Sequence, residues 1–211
     1  MAEELFDIYD EQLRPLGTAT RAETHAQGYW HRTFHCWLTR REENRRFVRF
    51  QLRQASKDTN PGCFDITAAG HFAAGETLRE AMRELEEELG VSASFEQLIP
   101  LGQIREDAHG EVNGKPFIDR EVSDVFALVC EVPLTELKLQ PEEVAGVYEA
   151  DLDELIAMFE GSLSEVSAIG VELDAQSGQL SRVSRLVQAN QFVPRDYSFY
   201  ANVLQALHGC T

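Results

Sequence analysis

Three carboxylates offer the clearest chemistry in this sequence: Glu84, Glu87 and Glu88, within Arg83-Glu84-Leu85-Glu86-Glu87-Glu88-Leu89-Gly90-Val91. A helix turns about 100° per residue, so positions i, i+3 and i+4 share one face. Glu80 falls on that face by the same count. Like charges placed this way repel by a few tenths of a kcal/mol per pair in water, and by more when desolvated. A solvated surface tolerates that repulsion. A converging cluster instead suits a hard divalent cation such as Mg²⁺, which takes oxygen ligands.

The element that must carry these glutamates reads as a helix over 77–89. Leu78, Met82, Leu85 and Leu89 recur at helical spacing on the opposite side, Thr77 with Glu80 forms a capping-box pattern, and Gly90 supplies a stop. Upstream, 29–39 and 47–54 read as strands joined by a turn over 40–45, with Trp30, Phe34 and Trp37 as core or, for one of them, a surface that stacks on a substrate base or ring. Asn60-Pro61-Gly62 punctuates a loop, and 63–72 reads as a short extended segment. Downstream, 95–104 and 117–132 read as strands separated by a gap containing Gly110 and Gly114. Helices are expected over 151–160 and around 197–207. Strands interleaved with helices give an α/β class.

The nine-residue string matches R-E-U-x-E-E-x-G-U, where U is bulky and apolar. This is the second half of the Nudix box, and Gly70 and Glu76 match the G-x5-E of its first half. The chain therefore resembles the Nudix hydrolases over residues 4 to about 160. The resemblance implies an α/β/α sandwich with a mixed β-sheet, here a Nudix domain over 1–165 with a C-terminal extension over 166–211 packed on it. It implies Mg²⁺ or Mn²⁺ on Glu84, Glu87 and Glu88, Arg83 bracing the carboxylates, and the Gly70 carbonyl joining the metal shell. The pattern is one residue short: six residues, Thr77 to Met82, separate Glu76 from Arg83 where the family has seven. A helix beginning at Thr77 then turns the preceding loop by ~100° and shifts it by ~1.5 Å, unless a distortion near the first turn absorbs the difference.

The flanks resemble one branch of the family, isopentenyl-diphosphate isomerase and the bacterial Nudix proteins similar to it. That resemblance implies further metal ligands at His25, His31 and His71, with Asp119 and Glu121 of Asp119-Arg120-Glu121 standing for an E-x-E motif. Glu121 has two readings, a ligand or the general base. His35 shares the strand of His31, where a histidine is also commonly a satisfied or exposed side chain. His109 and His208 read as surface residues. The isomerase needs a cysteine immediately before its Gly-His pair, to act on an allylic carbon. Ala69 stands there, it transfers no proton, and Cys63 lies six residues upstream.

The expected chemistry is metal-assisted hydrolysis of a diphosphate linkage in a small molecule, such as a nucleoside diphosphate derivative. Arg49, Arg53 and Lys57 are candidate phosphate partners, and Glu142 and Glu143 are acids in a loop before the helix at 151. The alternatives are isomerase-like chemistry, disfavoured by Ala69, and a catalytically silent Nudix module that binds a ligand or a protein. Against 19 Lys+Arg stand 36 Asp+Glu, a formal charge of -17, which repels nucleic-acid backbones. No apolar run approaches the ~20 residues of a membrane span. Scattered cysteines and no signal-peptide pattern point to the cytoplasm. Substrate identity and oligomeric state are not written in the pattern.

Overall fold

The computed structural model describes residues 4–112, 114–174 and 177–210. Its strands are β1 (Leu5–Tyr9), β2 (Pro15–Thr20), β3 (Trp30–Glu42), β4 (Arg45–Arg53), β5 (Phe64–Asp65), β6 (Ala68–His71), β7 (Ile99–Val112), β8 (Lys115–Val129), β9 (Val144–Asp151), β10 (Val166–Leu173) and β11 (Leu180–Val187). The helices are α1 (Arg21–Gln27), α2 (Leu78–Ala81), α3 (Arg83–Leu89), α4 (Leu152–Phe159) and α5 (Tyr197–Leu207). Among the described residues no helix is long and apolar enough to cross a membrane.

One mixed sheet runs in the order β11-β10-β9-β4-β3-β1-β2, with β5 on β4 and both β6 and β8 on β3. β3 and β8 run parallel and the other pairs antiparallel. Side chains alternate faces along a strand, and β3 uses both. Phe34, Cys36 and Leu38 pack toward Leu85 and Leu89 of α3, whereas Trp37 joins the core under α4 and α5 with Phe159, Tyr200 and Leu204. The expected α/β/α sandwich is the observed architecture, and Trp30, Phe34 and Trp37 are buried as expected.

Four local readings change. The helix expected over 77–89 is two pieces, interrupted at Met82 (φ −65°, ψ −8°), where Leu85 N–H returns to the Met82 carbonyl three residues back. This tight turn sits in the stretch that is one residue short. Glu80 is the second change: its carboxylate caps α2 by accepting Thr77 N–H (2.9 Å) and Thr77 Oγ1–H (2.7 Å), so it leaves the glutamate face. Third, the expected gap around Gly110 and Gly114 is the end of a long β7–β8 hairpin, with Val112 opposite Lys115 and Gly114 at φ 75°. Fourth, β2, α1, β9, β10 and β11 occupy stretches that showed no clear period, and β9–β11 widen the sheet beyond β4.

Candidate active site

β6 is the hinge of the site. It pairs with β3 on one side, Phe34 opposite Gly70 and His35 opposite Ala69, and no strand pairs its other edge among the described residues. A cleft of about 730 Å³ opens there. Because side chains alternate, Gly70 faces α3 while Ala69 and His71 face the opposite side of the sheet.

On the α3 side the three glutamates converge on β6. Glu84 lies against Gly70 so closely that a Cβ at position 70 would sit 2.1 Å from its Cδ, which explains a glycine there. Glu88, only 4% exposed, accepts Ala69 N–H at 3.2 Å and the Gln51 amide at 3.5 Å. Arg83 ties the group together: Nε donates to Glu76 (2.7 Å) and Nη1 to Glu84 and Glu87 (2.7 Å each). Glu76 thus reaches Arg83 despite the shortened spacing. Burial raises the Glu84 carboxyl to about 7, helped by the charge of Glu87 and opposed by Arg83. Burial and the neighbouring Glu84 lift Glu88 well above the ordinary carboxylate range. Glu87 remains half exposed at the cleft mouth.

On the other side of the sheet an imidazole cluster forms from distant parts of the chain. His25 comes from α1, His31 from β3, His71 from β6, and Asp119 and Glu121 from β8. Ligand atoms of the three histidines lie within 4.8 Å of one another, as do those of His31, Asp119 and Glu121. His25 Nε2 and His31 Nε2 stand 3.3 and 3.5 Å from Asp119 Oδ1, and His71 Nε2 stands 3.4 Å from Glu121 Oε1. His25 Nδ1–H donates to the Arg21 carbonyl (2.8 Å) and His31 Nδ1–H to that of Tyr29 (3.2 Å). Those bonds leave both Nε2 lone pairs aimed inward, the tautomer of a metal-ligating histidine. His25 Nε2, His31 Nε2, His71 Nε2 and Asp119 Oδ1 are all buried without a hydrogen-bond partner. Phe6 stacks on His31 and His71 and Phe117 on His25, so the rings are held from both sides.

Burial drives His31 down to about 4, with His71 adding to the effect. Burial likewise takes His35 to about 4. It pushes Glu121 up, but His71, His31 and His35 outweigh it and hold that carboxyl below its usual range. Burial thus favours the neutral form of His31 and His35, while Glu121 is held toward its ionised form.

Two of the three candidate phosphate cations line the cleft. Arg53 pairs with Asp65 (3.1 Å) and Lys57 with Glu143. Arg49 does not reach it: it is buried under the neighbouring part of the sheet, with Nε 3.1 Å from Glu149, so it is no phosphate partner. Glu142 is exposed, and His109 and His208 sit at the surface beside Asp107 and Asp153. The cleft is also lined by His35, read from the sequence only as a strand histidine beside His31, and by Glu106 and Arg195, which the sequence did not single out. His35 was within reach, because period-two alternation in β3 places it on the face of His31. Glu106 and Arg195 arrive from the hairpin and the C-terminal segment, where no local pattern marks them.

Known proteins are similar to this chain along nearly all its length. The NUDIX domain model matches residues 29–168. A Nudix hydrolase of Clostridium acetobutylicum, described as uncharacterized, is 39% identical over 207 residues, 98% of each chain. The isopentenyl-diphosphate Delta-isomerase of Corynebacterium diphtheriae is 29% identical over 142 residues, 66% of this chain and 73% of that one. A solved structure from Deinococcus radiodurans shares the fold with a TM-score of 0.55 at 20% identity, over 73% of this chain and 87% of that chain. With its box assembled on α3 and β6 and a family match over most of its length, the chain belongs to the Nudix family.

Proposed function

We propose that this chain is a divalent-cation-dependent hydrolase that cleaves a diphosphate linkage in a small molecule, a nucleoside diphosphate derivative or a similar compound. Glu88 carries the reading. It is a buried carboxylate whose hydrogen-bond partners, Ala69 N–H and the Gln51 amide, are neutral, and Glu84 stands beside it. An ionised carboxylate so placed is costly unless a positive charge joins it. The oxygen donors of Glu84, Glu87, Glu88 and the Gly70 carbonyl fit Mg²⁺ or Mn²⁺. Bound there, such a cation would neutralise diphosphate charge and acidify a water molecule.

The side chains divide the remaining work. Arg83 holds Glu84 and Glu87 in register from one guanidinium. We place the general base among the helix carboxylates, because Glu121 is engaged by imidazoles and suits a ligand better. Arg53 and Lys57 face the cleft where phosphates would lie. The net charge of -17 repels a free polyanion, so substrate would enter as its cation complex. In the imidazole half, His25, His31, His71, Asp119 and Glu121 would hold a separate ion of the kind that accepts nitrogen and oxygen ligands. Unpartnered inward atoms support that assignment. A cytoplasmic setting goes with the same reading.

Isomerase chemistry has less support. Ala69 occupies β6 where a thiol is needed, and no cysteine lines the cleft among the described residues. The test is phosphate release from a panel of nucleoside diphosphate derivatives and isoprenoid diphosphates with Mg²⁺ or Mn²⁺, alongside cation titration. Cation-dependent release from a panel member is expected. Isomerised isopentenyl diphosphate would replace this reading with the isomerase one, and failure to bind either cation would replace it with a binding module.

A further inference from the structure

Behind His31 on the same face of β3 come Thr33, His35 and Trp37. Thr33 donates its hydroxyl to Ser123 at 2.8 Å, and Trp37 enters the core. His35 does neither. It is 2% exposed, its Nδ1 is buried without a partner, and among the described residues Glu106 and Glu121 are the acids whose oxygens group with it. One ligand atom from each of the three lies within 4.8 Å of the others, yet no ion pair joins His35 to either acid among the described residues. The interval is wider than a hydrogen bond. Two donors on one ion at bonds of ~2.0–2.2 Å are separated by roughly 3 to 4.3 Å, depending on the angle between them.

The two carboxylates are oriented for this. Glu106 and Glu121 lie opposite each other in the β7–β8 ladder and share a face. Arg195 Nε donates to Glu106 Oε1 at 2.8 Å, while Glu106 Oε2 is buried without a partner. Arg195 is held in turn by Asp65 at 2.8 Å and the Tyr200 hydroxyl at 3.1 Å, so it fixes Glu106 from behind. Glu121 turns Oε1 toward His31 and His71, at 3.8 and 3.4 Å. A carboxylate has two oxygens and serves two ions at once. Thr33 and Ser123 are short and bonded to each other, and Thr33 lines the cleft with His35, Glu106 and Glu121.

We propose that the imidazole wall of the cleft binds two divalent cations, the second on His35, Glu106 and Glu121, with Glu121 shared between them. One nitrogen and two carboxylates select ions of the Mn²⁺, Co²⁺ and Zn²⁺ kind over Mg²⁺. A shared carboxylate sets the ions roughly 3.5–4 Å apart. The pair rests on the reading of His25, His31, His71 and Asp119 as ligands and stands apart from diphosphate hydrolysis.

Co²⁺ titration of the chelator-stripped full chain tests it, followed by equilibrium dialysis and by visible absorption, which reports imidazole coordination and sets these ions apart from any on the helix glutamates. Thermal unfolding without cation verifies the fold of each variant. Wild-type protein is expected to take up two imidazole-ligated equivalents. His31→Gln removes one; His35→Gln weakens the other by more than about 100-fold, a larger loss than removal of an outer partner causes. Glu106→Gln keeps its Arg195 contact through the amide oxygen and gives the same loss, so it carries the test if His35→Gln does not fold. One imidazole-ligated equivalent that His31→Gln abolishes and His35→Gln and Glu106→Gln leave within about threefold would overturn the second ion alone. No imidazole-ligated equivalent in the wild type would overturn both.

Discussion

The carboxylate half of the cleft comes from one seven-residue helix and the short strand beside it, whereas the imidazole half draws on α1, β3, β6 and β8. Both halves concentrate charge-bearing groups out of water, but they settle the resulting cost differently. Glu84 and Glu88 have one guanidinium and a few neutral donors, so burial lifts both toward the protonated form. Glu121 has three imidazoles around it, and burial is outweighed. The first half is a set of acids short of a cation. The second is a set of imidazoles and carboxylates from four elements, two of its histidines turned inward by backbone carbonyls. β6 connects them, its Ala69 N–H on Glu88 and its His71 on Glu121.

The comparison breaks most easily at Glu87. Glu87→Gln should lower steady-state hydrolysis by about 10³-fold, as loss of a charge-stabilising group at a reacting centre does, while leaving imidazole-ligated Co²⁺ binding intact. Comparable turnover in variant and wild type would remove the carboxylate half from the chemistry.

Next in size is a pH effect on stability, measured by urea unfolding with chelator present. The folded Glu84 carboxyl titrates near 7 against a reference of 4.5. Below the lower value both states are protonated. Between the two, the folded state holds the extra proton, so rising pH costs stability up to about 3 kcal/mol and then levels off. Glu84→Gln removes that loss, and its advantage over wild type should widen from about pH 5 to about pH 8. His31 and His35 have the opposite sign, since their lowered values make the fold lose stability as pH falls below about 6.5. They cancel in the difference between the two proteins. A pH-independent difference would mean that Glu84 is ionised without help.

Smaller effects sharpen the boundary between the halves. Gly70→Ala drives a methyl into Glu84 and should weaken Mg²⁺ activation by about 10- to 100-fold, the range seen when a ligand loses its support. His31→Gln should change hydrolysis by less than about tenfold while abolishing one imidazole-ligated equivalent. Equal damage to hydrolysis from His31→Gln and Glu87→Gln would merge the halves into one machine.

What was legible follows from how local each feature is. The α3 glutamates, the Thr77–Glu80 cap and α5 are written within a few residues, and they fold as read. The break at Met82 lies in the stretch that counts six residues in place of seven, and its location needed the backbone. β10 and β11 escaped because β11 is largely exposed and its apolar positions do not alternate cleanly. Gly170 weakens the β10 pattern further: a Cβ there would meet the Tyr148 ring at 2.6 Å, so packing against β9 demands the one residue that carries no strand signal. The sequence Asn113-Gly114 is a dipeptide that commonly closes two-residue turns, a signal stronger than the gap reading gave it. The imidazole set was named by resemblance. Its geometry depends on register, Glu121 opposite His31 and Glu106 opposite Glu121, which no single segment records.

The central claim, that the α3 carboxylates act through a bound divalent cation, is tested most directly by chelation. Turnover of the best panel substrate is followed while Mg²⁺ is stripped from wild-type protein and then returned. The expected result is loss of turnover with the cation and saturable recovery on its return, with the intact fold verified throughout. Turnover that persists undiminished after chelation would contradict the account.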